Sequence, residues 1–167
     1  MKLVPYNRAA AVAYAHRWAY GRNPAFYNFD GLGGDCTNFM SQCLYAGGGV
    51  MDYTPTFGWY YLNLNNRTPS WTGVPYFYDY LTRSRHSLGP AAVETDLHHC
   101  EPGDFVQLSF SGTVFGHTAI IVQTGMPASP DSTLVAAHTY DIDYKPLNTY
   151  SFHGIRFLHI TGVYQYD

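Results

Sequence analysis

The segment FDGLGGDCTNFMSQCLYAGGGV, residues 29–50, contains the clearest indications of how this chain folds. Its first part is rich in glycine and predicts a loop, and the run from about Cys36 to Ala46 predicts a helix. Three consecutive glycines at 47–49 end that helix, because glycine readily adopts the conformations that follow a last helical turn. The pattern therefore places a cysteine at the first position of a helix, directly after a flexible turn.

Two further helices are expected on either side of this segment. Residues 7–20 predict a helix with Asn7 as N-cap and an alanine-rich body, which ends before Gly21. Residues 50–75 are rich in Tyr, Trp, Asn, Thr and Pro without periodicity and predict a long ordered loop. A short helix is expected over residues 74–83.

The second half of the chain has the pattern of an antiparallel sheet. Four alternating or β-branched runs predict strands: FVQLSF at 105–110, HTAIIVQT at 117–124, TLVAAHT at 133–139 and IRFLHITGV at 155–163. Helices followed by strands indicate an α+β fold, with N-terminal helices packed on an antiparallel sheet. A length of 167 residues and the absence of a linker-like stretch predict one domain over 1–167.

Composition excludes several classes of partner. A hydrophobic fraction of 46% with 13% charged residues is typical of a packed globular protein. A net charge of -3 without any basic run argues against a nucleic-acid partner. Charged residues interrupt the N-terminal segment, so we expect no signal peptide or membrane span, and a cytoplasmic chain unless a leader was trimmed from an extracellular or cell-wall protein. The oligomeric state stays open.

Cys36 is the candidate nucleophile among three cysteines, an odd number that argues against a disulfide framework. The unpaired N–H groups at a helix N-terminus stabilise a thiolate, and the N–H of Cys36 itself points to an oxyanion site. Polar or bare neighbours on both sides argue against a merely buried thiol. Cys43, with apolar neighbours, is expected to be a core residue.

His117 is the candidate base among eight histidines, because it follows Gly116 at the start of an apolar strand that would hold its imidazole rigidly. A third group should accept the other ring N–H of this base. His138, at the end of the next predicted strand, is the first choice, and Asp141 is the alternative.

Other polar and aromatic residues near Cys36 are candidates for supporting roles. Asp35 is expected to cap the helix, and Asn38 to support the site or the loop. Trp59, Tyr60 and Trp71 either line a substrate groove or cover the core.

No metal or cofactor is expected. The run His98-His99-Cys100 contains zinc-ligand residue types, but adjacent residues on an extended chain point to opposite sides. The sequence contains no CxxC or HxxxH pair that would supply the remaining ligands of a zinc site.

The segment GGDCTNFMSQCLYAGG resembles the signature of the bacterial putative amidase domain, a relative of NlpC-type and CHAP-type cell-wall hydrolases. Further landmarks resemble that family in order along nearly the whole chain. They are the N-terminal helix region, Trp59-Tyr60, Ser70-Trp71-Thr72, Pro102-Gly103-Asp104, Gly116-His117-Thr118 and His138-Thr139. The resemblance implies a papain-like α+β core of the NlpC type, with Cys36 on the first core helix and His117 and His138 on neighbouring strands.

The expected function is cysteine-dependent hydrolysis of an amide or peptide bond. The resemblance suggests peptidoglycan stem peptides or related muropeptides as substrates. Two alternatives stay open: an acyl transferase that shares the thioester intermediate, and a non-catalytic peptide-binding module on the same fold.

Overall fold

The structure, a computed structural model, describes residues 1–84 and 87–167. Its helices are α1 (Arg8–Trp18), α2 (Cys36–Gly48), α3 (Pro69–Thr72) and α4 (Val74–Thr82). Its strands are β1 (Lys2–Val4), β2 (Tyr61–Asn63), β3 (Asn66–Arg67), β4 (Gly89–Thr95), β5 (Phe105–Ser109), β6 (His117–Gln123), β7 (Leu134–Ala137), β8 (Ile142–Pro146) and β9 (Gly154–Gln165). Two 3-10 turns, Leu97–His99 and Leu147–Thr149, complete the described elements.

The predicted helices are confirmed, with small shifts at their ends. Asn7 caps α1 by accepting a hydrogen bond from the backbone N–H of Ala10 with its side-chain oxygen. Helix α2 begins at Cys36 as expected, and Gly49 adopts a left-handed conformation and donates its N–H to the carbonyl of Tyr45. Ten of the thirteen residues of α2 are buried, so this helix lies in the centre of the molecule.

A seven-stranded antiparallel sheet forms the other half of the core, in the order β1-β9-β5-β6-β7-β8, with β4 also paired to β9. The four predicted strands correspond to β5, β6, β7 and β9. Strands β1, β4 and β8 were not predicted, because they are short or lack a clear alternation of apolar and polar residues. The combination of helices and an antiparallel sheet confirms the α+β class.

The two faces of the sheet bury different clusters, because successive side chains on a strand point to opposite sides. On one face, Ile120 and Ala136 pack with residues of α1, α2 and α4. On the other face, Ala119 and Ile121 pack with Leu147 and their neighbours. For the same reason Thr118 faces α2, whereas His117 faces the opposite side of the sheet.

Residues 50–75 are more structured than the expected loop. They contain the β2-β3 hairpin, the helix α3 and an isolated antiparallel bridge between Asp52 and Trp59. Among residues 1–84 and 87–167, no helix is both long and apolar enough to cross a membrane.

Candidate active site

Cys36 and His117 line the same cavity, which has a volume of about 480 Å³. The cavity lies where β6 begins, β7 ends and α2 starts. Its wall is made of residues from these elements, the glycine loop and the segment after β8: Gly33, Gly34, Cys36, Phe110, Gly116, His117, Thr139, Tyr140, Ile142, Lys145, Thr149, Tyr150 and Ser151.

A contact between two threonines brings the candidate nucleophile and base together. Thr37 follows Cys36 and Thr118 follows His117, and their hydroxyl oxygens lie 3.1 Å apart in a buried hydrogen bond. This bond fixes the first turn of α2 on the start of β6. The thiol of Cys36 and the ring of His117 share the cavity, and no hydrogen bond joins these two described side chains.

His117 is held in its neutral form by burial. The centroid of its ring lies 6.3 Å from that of Phe110 and 5.7 Å from that of Tyr150. Burial lowers the pKa of His117 from 6.5 to about 4. Its Nε2 atom is buried and has no hydrogen-bond partner among the described residues. At neutral pH this ring is therefore an uncharged imidazole, and one of its nitrogens has no hydrogen-bond partner within residues 1–84 and 87–167.

Tyr150 belongs to the site, although nothing in the sequence pattern pointed to it. Burial, with a further contribution from the proximity of Cys36, raises its pKa to about 12. Its hydroxyl consequently keeps its proton at all ordinary pH values and is able to donate a hydrogen bond.

Asp35 is fully buried beneath the first turn of α2. Its carboxylate accepts hydrogen bonds from the backbone N–H of Phe29 at 2.8 Å, from the side chain of Asn38 at 2.8 Å and from Nδ1 of His138 at 2.5 Å. Burial by itself raises the pKa of Asp35, but these three hydrogen bonds outweigh it and hold the pKa below its ordinary value. Asp35 occupies the N-cap position of α2, but its side chain makes no capping hydrogen bond.

His138 packs on the helix side of the sheet and not against His117. Its ring stacks on Phe39 with centroids 3.7 Å apart, and its Nε2 lies 2.8 Å from the carbonyl oxygen of Trp18. With Nδ1 bonded to Asp35, both of its nitrogens have partners. The expected contact of His138 with His117 is absent among the described residues, because the alternation of side chains directs the two rings to opposite faces of the sheet.

Asp141, the alternative partner for the base, is bound by Arg22 instead. The two guanidinium nitrogens Nη1 and Nη2 donate to its two carboxylate oxygens, each at 2.9 Å. The same arginine donates to Asp30 at 2.8 Å, and its Nε lies 3.4 Å from Asp35. Arg22 thereby ties the glycine loop to the turn after β7. Sequence reasoning missed this role because Asp141 is 119 residues away from Arg22 in the chain.

The aromatic residues expected to line a groove belong to the core instead. Trp59 and Trp71 are 1% and 0% exposed, and their indole N–H groups donate to Ser41 and Asn38. Tyr60 is partly buried and donates its hydroxyl to Asn66. None of these three aromatic residues lines the cavity, because each packs on the hairpin side of α2. Asn38 has a structural position, between Asp35, Trp71 and the carbonyl of Tyr27.

The three cysteines are free thiols in different surroundings. Burial raises the pKa of Cys43 well above its ordinary value, and burial with the nearby charge of Asp104 raises that of Cys100 to about 12. Of the three, Cys36 lines the cavity. Within residues 1–84 and 87–167, no three His, Cys, Asp or Glu side chains are grouped so as to hold a metal ion.

Comparison with known families assigns the chain on the basis of nearly its whole length. The family model described as "Putative amidase domain" matches residues 5–161. The chain belongs to this family. The family's description indicates an amidase, which is a hydrolase of amide bonds, and it names neither a mechanism nor a substrate.

The chain is also similar to "Uncharacterized protein YhbB" of Bacillus subtilis (strain 168), with 37% identity over 139 residues. The aligned region covers 81% of this chain and 42% of that relative, so the chain spans about two fifths of the relative's length. No solved structure matches the chain significantly.

Proposed function

We propose that this family member is a cysteine-dependent amide hydrolase with a papain-like core, in which Cys36 is the nucleophile and His117 the base. The observation that carries the proposal is that both side chains line one cavity, with Cys36 at the start of a buried helix. Nε2 of His117 has no hydrogen-bond partner in the part of the chain that the structure describes. A buried polar atom without a partner costs free energy, and functional sites are where such groups are retained.

The proposed reaction has two steps. Cys36 attacks the carbonyl carbon of an amide and transfers its proton to His117, which then protonates the departing amine and leaves a thioester on Cys36. Water attacks the thioester with His117 again as base, which releases the carboxylic acid and restores the thiol. The backbone N–H of Cys36 and the protonated hydroxyl of Tyr150 are the proposed donors to the oxyanion.

The low pKa of His117 suits this cycle. A neutral imidazole is required to accept the proton from Cys36, and His117 is neutral at every pH well above 4. Its Nε2, which has no partner among the residues that the structure describes, is the atom that we propose for the proton transfer.

We propose a positioning role for His138 in place of the expected contact with His117. The ring of His138 fixes the carboxylate of Asp35, and Asp35 immediately precedes Cys36 and also binds the backbone of Phe29. These contacts set the direction in which the first turn of α2 presents the thiol.

The proposed substrates are peptides of the bacterial cell wall, either peptidoglycan stem peptides or muropeptides derived from them. The resemblance to NlpC-type and CHAP-type hydrolases supports this class. So does a cavity of about 480 Å³, which is large enough for a few residues of a peptide.

The first experiment measures the alkylation of Cys36 by iodoacetamide from pH 4 to pH 9, read by peptide mass spectrometry. We expect Cys36 to be labelled much faster than Cys43 and Cys100, and more slowly in His117→Ala, which lacks the proposed proton acceptor. Cys43 and Cys100 serve as internal controls, because burial suppresses thiolate formation at both.

The second experiment incubates the protein with a muropeptide mixture and follows new amine and carboxylate products by mass spectrometry. Cys36→Ala should abolish the products, and Cys100→Ala, which removes a thiol outside the cavity, should preserve them. If Cys36 is labelled as slowly as Cys100 and no product forms, the hydrolase is excluded and the peptide-binding module is favoured.

A further inference from the structure

Lys145 is a charged residue that lines the cavity. It lies on β8 opposite Val135, on the sheet face that also carries His117 and Tyr150, and it is half-buried. Its ammonium nitrogen lies 4.7 Å from the centre of the Tyr150 ring. Of the described residues that line the cavity, Lys145 alone carries a charge at neutral pH, since burial keeps His117 uncharged.

The acidic residues near Lys145 in sequence are bound elsewhere. Asp141 is held by Arg22, and Asp143 lies 2.7 Å from Nδ1 of His16. In the described part of the chain, Lys145 has no carboxylate within ion-pair distance. A half-buried ammonium that faces an aromatic ring and lacks a counter-ion is a site to which a carboxylate of a ligand is attracted.

We propose that Lys145 binds a carboxylate of the substrate, and that this enzyme therefore takes peptides that carry a free carboxylate close to the scissile amide. The inference rests on the proposed function, because it places this carboxylate in the cavity of Cys36. The protein has a net charge of -3, so its overall charge does not attract an anion and the selection is local.

The test compares two alkylating reagents that differ in charge, the anion iodoacetate and the neutral iodoacetamide. The ratio of their rates at Cys36 is independent of how much thiolate is present, since both reagents react with the same thiolate. We expect Lys145→Gln to lower the iodoacetate-to-iodoacetamide ratio by about two- to fivefold, the size of a partly screened charge interaction. Added salt should lower the ratio in the wild type and have less effect in the variant.

The sequence offers a matched control, because it contains only two lysines. Lys2→Gln makes the same change in net charge on β1, away from the cavity, and should leave the ratio unchanged. Lys145→Arg keeps the charge and should retain most of the wild-type ratio. A urea unfolding midpoint of Lys145→Gln close to that of the wild type shows that the variant remains folded.

A second arm distinguishes the sources of the carboxylate. Acetyl-Ala-Ala with a free C-terminus, its C-terminal amide, and acetyl-Glu amide each compete with iodoacetamide at Cys36. The inference is supported if a peptide with a carboxylate protects Cys36 from iodoacetamide better than the neutral amide does, and if this difference is lost in Lys145→Gln. Protection by acetyl-Ala-Ala indicates a terminal carboxylate, and protection by acetyl-Glu amide indicates a side-chain carboxylate.

The two proposals fail differently. If Cys36 reacts rapidly but Lys145→Gln leaves the reagent ratio and the protection unchanged, the carboxylate site is refuted and the hydrolase stands. If Cys36 is slow with both reagents, like Cys100, both proposals are refuted.

Discussion

Replacing His117 by glutamine should remove a large part of the acid sensitivity of the folded protein. The pKa of His117 falls from 6.5 in the unfolded chain to about 4 in the fold because the ring is buried. The folded state therefore binds this proton less readily, and stability is lost as pH falls from 6.5 towards 4. A difference of about 2.5 pKa units, at about 1.4 kcal/mol for each unit, corresponds to about 3.5 kcal/mol.

Urea unfolding of the wild type and His117→Gln at pH 7.5 and pH 4.5 measures this effect. The wild type should lose about 2.5 kcal/mol more than the variant between the two pH values, and the other titrating groups cancel in the comparison. Equal losses in the two proteins, together with a ring titration near pH 6.5 by nuclear magnetic resonance, would show that His117 is solvated and refute the buried-base argument.

His138→Gln should slow the alkylation of Cys36 and cost about 1–3 kcal/mol of stability by leaving the Asp35 carboxylate with one partner fewer. The pKa of His117 should stay the same in this variant. A change in that pKa, measured by nuclear magnetic resonance, would indicate that the two histidines do interact. Trp71→Ala should cost about 3–5 kcal/mol in urea unfolding, because this side chain is fully buried; a changed KM with unchanged stability would instead favour a substrate groove. Thr139→Gly should stabilise the protein by about 0.5–1 kcal/mol, because Thr139 has a φ of 62°, where a β-branched residue is strained. A lower unfolding temperature of Thr139→Gly than of the wild type would show that the backbone at Thr139 is not strained.

The local features of the fold were predictable because neighbouring residues in the chain determine them. A cap and an alanine-rich run define α1, and glycines on both sides define α2. Alternating apolar residues define β5, β6, β7 and β9. The edge strands β1 and β8 could not be predicted, since their hydrogen bonds come from partners that the chain meets only after folding.

Local signals, namely glycine turns and strand periodicity, were enough to predict that Cys36 begins a helix and that His117 begins a strand. Which side chains meet depends on how distant segments pack. His138 bonds to Asp35, which is 103 residues away, and β8 brings Lys145 into the cavity. Periodicity shows that adjacent strand residues point to opposite sides, but it does not show which side faces the helices. That choice is made by packing between distant segments, because burial of one complete apolar face against α1 and α2 stabilises one arrangement of the sheet.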